Sequence, residues 1–132
     1  MTKRQSVNGQ RPRHENPIPN ACRIGNIVMS SVIAGTNPGS RQLPDTLEQQ
    51  IANVFAHIRH DIEAAGATVG DIIKVTFWVD DPLTQRTAIN TEWVKMFPDA
   101  NSRPARHTLT LPGGGRAKIQ ADFTAVISQA GV

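Results

Sequence analysis

The sequence predicts an α+β fold, a mixed sheet with two helices on one face. Three observations carry this. Two short β-rich runs open the body of the chain. A long segment with 3.6-residue apolar spacing follows. Three segments of period 2, with a second helical stretch among them, complete a ββαβαββ order.

The elements follow in chain order. Residues 1–17 read as a flexible basic N-terminal tail. They are polar, carry Lys3, Arg4, Arg11 and Arg13, and are broken by Gly9, Pro12 and Pro17. Residues 18–132 read as a single domain. Ala21–Ile24 and Ile27–Ile33 are strand-like, and Gly25-Asn26 between them makes a hairpin turn. Gly35–Ser40 is a loop. Leu47, Ile51, Val54, Phe55, Ile58 and Ile62 then mark one face of a helix over 46–65. Asp45 is the expected N-cap, Glu48 completes a capping-box pattern, and Gly66 suits the position after the C-cap.

In the strand over 73–79, Ile73, Val75, Phe77 and Val79 share one face, and Lys74, Thr76 and Trp78 the other. Asp81-Pro82 reads as a cap and first helical position. Ala88, Ile89, Trp93, Met96 and Phe97 give a second amphipathic helix, stopped by Pro98. In the next strand Ala105, His107, Leu109 and Leu111 alternate with Arg106, Thr108 and Thr110. In the last, Ile119, Ala121, Phe123, Ala125 and Ile127 alternate with Lys118, Gln120, Asp122 and Thr124. If each strand gives its more apolar side to the helices, the other sheet face carries Thr76, Trp78, Arg106, Thr108, Gln120 and Thr124. That mixture suggests a subunit interface or a binding site.

Composition narrows the class. A chain of 132 residues with 39% hydrophobic residues suits one globular domain with a core of its own. No apolar run approaches the roughly 18 residues of a membrane span, and no apolar secretory segment is visible. The single cysteine, Cys22, excludes an internal disulfide framework and a multi-cysteine zinc site, and fits a reducing cytoplasm. There is no Tyr, so a mechanism that needs a phenol is excluded. The net charge of +3 owes much to the basic N-terminus. Such an arm can touch nucleic acid, but a frayed soluble terminus is the plainer reading.

Most local constellations are weak. Gly113-Gly114-Gly115-Arg116 lacks the frame of a phosphate loop and joins two strands, so a hairpin loop is expected. His57 and His60 lie three apart beside Asp61, but off the apolar stripe and without a metalloprotease pattern. Exposed surface histidines are expected, not a metal site. Nothing local supplies a base for Cys22, which reads as an inert buried thiol. No nucleophile-elbow motif surrounds Ser30 or Ser31. Arg103-Pro104-Ala105-Arg106-His107-Thr108 is more informative. A guanidinium held on a strand can clamp a carboxylate through two hydrogen bonds. An exposed or cross-subunit salt bridge is the alternative.

Arg103-Pro104-Ala105-Arg106, the strand after it, and Lys118-Ile119-Gln120-Ala121-Asp122 resemble the C-terminal signature of the YjgF/RidA family. Ile24–Val28 resembles its first hairpin, and Glu63–Thr76 is very similar to its helix-to-strand passage. Asn90 stands where the family has an Asn in its second helix. The resemblance covers about residues 18–128. It implies a chorismate-mutase-like ββαβαββ fold, a homotrimer with ligand clefts between subunits, and no cofactor. It also implies hydrolysis of reactive enamines or imines to ammonia and a 2-keto acid. Arg106 and the backbone N–H of Thr108 fall where the family binds the substrate carboxylate.

Five positions depart from the family pattern. Gln120 replaces the Glu that serves the attacking water, and an amide cannot accept its proton. Ile18 replaces a Tyr, Val32-Ile33 replaces Gly-Gln after Ser31, and Thr108 replaces a Cys. The expected site therefore has Arg106, Thr108, Asn90, Ile18, Ser31 and Val32 around the substrate and no metal. Gln120 and Asp122 stand at the chemistry, Asp122 being the acidic substitute for the missing Glu. His107 is expected on the far face of its strand. The expected partner is a small carboxylate-bearing metabolite, with neither membrane nor nucleic acid. Beside a deaminase-type hydrolase stand two other readings. One is a non-catalytic metabolite- or partner-binding module, and the other is the family's older label of endoribonuclease or translation inhibitor.

Overall fold

The computed structural model describes residues 3–113 and 115–128. Its strands are β1 (Gln5–Val7), β2 (Ala21–Ile24), β3 (Ile27–Ser30), β4 (Ile33–Ala34), β5 (Ile72–Val79), β6 (Ala105–Thr110) and β7 (Ile119–Val126). The helices are α1 (Leu47–Ala64), α2 (Pro82–Gln85) and α3 (Asn90–Met96), with 3-10 turns at Val69–Asp71 and Arg86–Ile89. One mixed sheet runs β1-β2-β3-β7-β5-β6, and β4 pairs with β7 beyond the end of β3. All neighbours are antiparallel except β5 and β6. The expected α+β architecture stands, with β1 added, the expected strand over Ile27–Ile33 broken at Ser31-Val32 into β3 and β4, and the second helix divided in two. The Gly113–Arg116 loop, of which Gly114 lies outside the described residues, is not the expected hairpin, because β5 lies between β6 and β7.

α1 buries Ile51, Val54, Phe55, Ile58 and Ile62 against Val28, Val75, Phe77, Ala121, Phe123 and Ala125 of the sheet. Trp93 and Phe97 extend this core under α3, with an edge-to-face ring contact at 4.9 Å. Thr46, not Asp45, caps α1, its hydroxyl accepting from the Gln49 N–H at 3.2 Å. At the other end Gly66 takes φ +87°, and N–H bonds from Gly66 to Glu63 and from Ala67 to Ile62 close a Schellman turn. Gly35 passes so close to α1 that a Cβ there would collide with the Gln50 carbonyl oxygen. Buried Gln50 also accepts from the Lys118 N–H and donates to the Pro44 carbonyl, tying the loop before α1 to the start of β7.

Two expectations about this frame are corrected. Ile73 is 53% exposed because a bulge between Ile72 and Lys74 turns it outward, so Ile72 takes its place in the core. The N-terminal segment is no free tail over its described part. Gln5–Val7 pair with Val7↔Ala21 through Gln5↔Arg23. Further on, Arg11 closes a 2.7 Å ion pair with Asp61 of α1, whose carboxylate is wholly buried. Arg11 donates as well to the carbonyls of Asn20 and Val32. These bonds draw residues 8–16 back across the β4 end of the molecule as a strap.

Candidate functional site

β6 ends the sheet, parallel to β5, with Val75↔Arg106 and Phe77↔Thr108 in register. Paired residues share a face, so Arg106 and Thr108 lie on the helix side. The expected face is corrected. The apolar residues of an edge strand need not point at the core, because the helices do not cover them fully. Here the arginine lies inward instead, its stem along apolar surface. Its guanidinium carbon is 5.1 Å from the Trp93 ring centroid and 5.7 Å from that of Phe77. Nη1 donates to Asn90 Oδ1 at 2.9 Å and Nη2 to the Arg86 carbonyl at 2.7 Å. Burial, and then the Arg86 charge, pull the Arg106 pKa below the ordinary guanidinium value. The structure thus joins Arg106 to Asn90, and three guanidinium N–H donors remain for a ligand.

Among the described residues no helix packs over the opposite face of the sheet. Register puts Lys74, Thr76 and Trp78 beside Thr124, Asp122 and Gln120, and Thr76 also beside His107. His107 is therefore on the face of Asp122 and Gln120, against expectation, because Arg106 and Thr108 occupy the other. Burial pushes the Asp122 carboxyl above its usual range, against the pull of Lys74. Ile27, Met29, Leu109 and Val126 are exposed on this same face. Within one chain Gln120 and Arg106 stand on opposite sides of the sheet, with β5 between their strands.

Gln120 and Val32 line a cavity of about 330 Å³ between the strap and β4, with Ala34, Arg11, Arg13 and Arg41 on its wall. Ile18 lines a neighbouring cavity of about 260 Å³. Ser31 points elsewhere, donating to the Pro19 carbonyl at 2.7 Å. The expected site thus falls into two groups, Arg106 with Asn90 and Thr108, and Gln120 with Val32.

His57 is not a surface histidine. It is buried, and Nε2 lies 2.8 Å from the Thr36 carbonyl, which only accepts, so Nε2 carries the proton. Burial foremost keeps the ring's pKa below the usual histidine value, and Nδ1 is buried without a partner. Among the described residues no group of three His, Cys, Asp or Glu could hold a metal ion. Nor is any helix among them long and apolar enough to cross a membrane.

Residues 8–113 match the family model described as Endoribonuclease L-PSP. The chain belongs to the YjgF/RidA family. A RutC family protein of Haemophilus influenzae is 32% identical over 97 residues, 72% of this chain and 74% of that one. The 2-iminobutanoate/2-iminopropanoate deaminase of Escherichia coli K12 is 28% identical over 114 residues, 83% and 88% of the two chains. Among solved structures, that of the YjgF gene product of E. coli superposes with a TM-score of 0.81 at 26% identity, covering 92% of this chain and 98% of that one. Residue spacing gives no sign of the strap ion pair or of the arginines of its cavity, since Arg11 and Asp61 lie 50 residues apart.

Proposed function

We propose that this YjgF/RidA protein binds a small carboxylate-bearing imine or enamine in clefts between the subunits of a homotrimer. There it adds water across the C=N bond, releasing ammonia and a 2-keto acid. The observation that carries the reading is the Arg106 guanidinium, fixed at a sheet edge by Asn90 and backed by Trp93. Such a fork binds a carboxylate with its orientation set in advance. Gln120 and Arg106 lie on opposite sides of the sheet. A cleft that uses both therefore draws Arg106 from one subunit and Gln120 from its neighbour. The deaminase name carried by the E. coli relative supports the reaction class. The test is ammonia release from 2-iminobutyrate generated in place by an amino-acid-consuming enzyme. Release at the spontaneous rate, at any protein concentration, overturns the hydrolase.

A second reading is favoured by Gln120 itself. An amide orients water without taking its proton, and a binding module would keep the carboxylate clamp and lack turnover. Binding of 2-oxobutyrate with no ammonia release would select it.

A further inference from the structure

The cavity under the strap is built from parts that the carboxylate clamp does not use. The strap is fixed on both sides of it. On one side Arg11 joins Asp61, and the Gly9 N–H donates to Asn20 Oδ1 at 3.0 Å. On the other Arg41 donates to Glu15 at 3.0 Å and to the Arg13 carbonyl. Three arginines line the space, and two have acidic partners. Asp61 neutralises Arg11, and Glu15 neutralises Arg41. Among the described residues no acid pairs with Arg13, so the wall carries one uncompensated positive charge. Ser40 lines the same space. Its hydroxyl oxygen accepts from the Gln42 N–H at 2.9 Å, which leaves its own proton to donate. Thr36 adds a second hydroxyl, and Gln120 forms part of the wall.

We infer that this cavity receives a second anionic group on the substrate, so that the preferred ligand is a dicarboxylate imine or enamine. The inference rests on the cleft reading above. The α-carboxylate sits on Arg106 of one subunit and the reacting carbon near Gln120 of the next. The side chain then extends under the strap, where its terminal carboxylate meets Arg13 and the Ser40 hydroxyl. A cavity of about 330 Å³ holds a short side chain of this kind. A purely apolar side chain would make no bond to the Arg13 guanidinium or the hydroxyls, so the terminal carboxylate is the group that gains affinity here.

The test compares two stable product-like probes, 2-oxoglutarate and 2-oxopentanoate, which differ in a terminal carboxylate against a methyl group. Titration calorimetry on the full chain is expected to show 2-oxoglutarate bound about tenfold more tightly, as one charge-assisted contact gives. Arg13→Gln should bring the ratio of the two dissociation constants to within about twofold, and so should added salt in the unmodified protein. Arg13 is exposed and its guanidinium takes no part in the strap's anchoring bonds, so the variant should fold, with circular dichroism as the check. Equal binding of the two probes, or a preference that survives in Arg13→Gln, overturns this inference and leaves the carboxylate clamp standing. Failure of both probes to bind overturns the clamp with it.

Discussion

Arg106 and Trp93 face one another at 5.1 Å, cation against ring, though the two residues belong to an edge strand and to a separate helix. Asn90, one helical turn before Trp93, fixes the same guanidinium at 2.9 Å. The contact sets the direction in which the fork can meet a carboxylate. Arg106→Ala is expected to weaken 2-keto acid binding on the order of a hundredfold, the loss of a bidentate charge-assisted pair. Arg106→Lys should not restore it, because a point charge neither forks nor stacks as a plane. Calorimetric titration reads both. Undiminished binding by Arg106→Ala would remove the clamp.

The sheet face opposite the helices makes the second prediction. It exposes Ile27, Met29, Leu109 and Val126 around Trp78, Thr76 and Asp122, a cluster of apolar side chains on one face, which marks an interaction surface. Light scattering at micromolar concentration should give about three times the 14.3 kDa chain mass. Met29→Lys should shift the population toward monomer. A stable monomer in the unmodified protein would sink the trimer and the shared cleft together.

Much of this arrangement was legible from periodicity. The apolar spacing of α1 and the alternation in β5 and β7 are local, and each element follows them. Side-chain direction on β6 was not legible, because both faces of an edge strand alternate plausibly and only the Val75↔Arg106 register decides. Ile73 misled for a similar reason, since one bulge reverses the alternation. The strap depends on a contact across 50 residues that no spacing encodes. Yet α1 carried a signal. Gln50, Val54, His57 and Asp61 recur at +4, +3 and +4, so the three polar residues sit on a buried helical row.

The strap ion pair leads to a pH-dependent prediction. Burial pushes the Asp61 carboxyl above its usual value, and Arg11 pulls it back. Arg11→Met removes that pull and leaves the group buried, a loss of about 3–5 kcal/mol when the orphan must stay ionised. With its folded pKa raised, Asp61 favours the folded state fully below its unfolded pKa, near 3.8, and loses that contribution as pH rises through the folded pKa. The deficit of Arg11→Met in urea unfolding should therefore be smaller near pH 4 than at pH 7. A deficit independent of pH would mean that Asp61 is not the partner that matters. No deficit at all would mean that the strap is not anchored there.

The last prediction concerns Gln120. Attack of water on an imine carbon needs an acceptor for a proton, and general-base help contributes about 10²–10⁴-fold. Gln120 offers none. Asp122, two residues along the same face, has a carboxyl held up by burial, which makes it the better proton acceptor of the two. If Gln120 limits the reaction, Gln120→Glu should raise ammonia release from 2-iminobutyrate. A carboxylate there would face the cavity with Arg13 and Arg41, whose charge keeps it ionised. If Asp122 already serves, Asp122→Asn should abolish turnover while Gln120→Glu brings no gain. The two variants, measured beside the unmodified protein, assign the base. Turnover lost in neither and gained in neither would place the proton acceptor on another group. The neighbouring candidate is then His107, which lies on the same open face across Thr76.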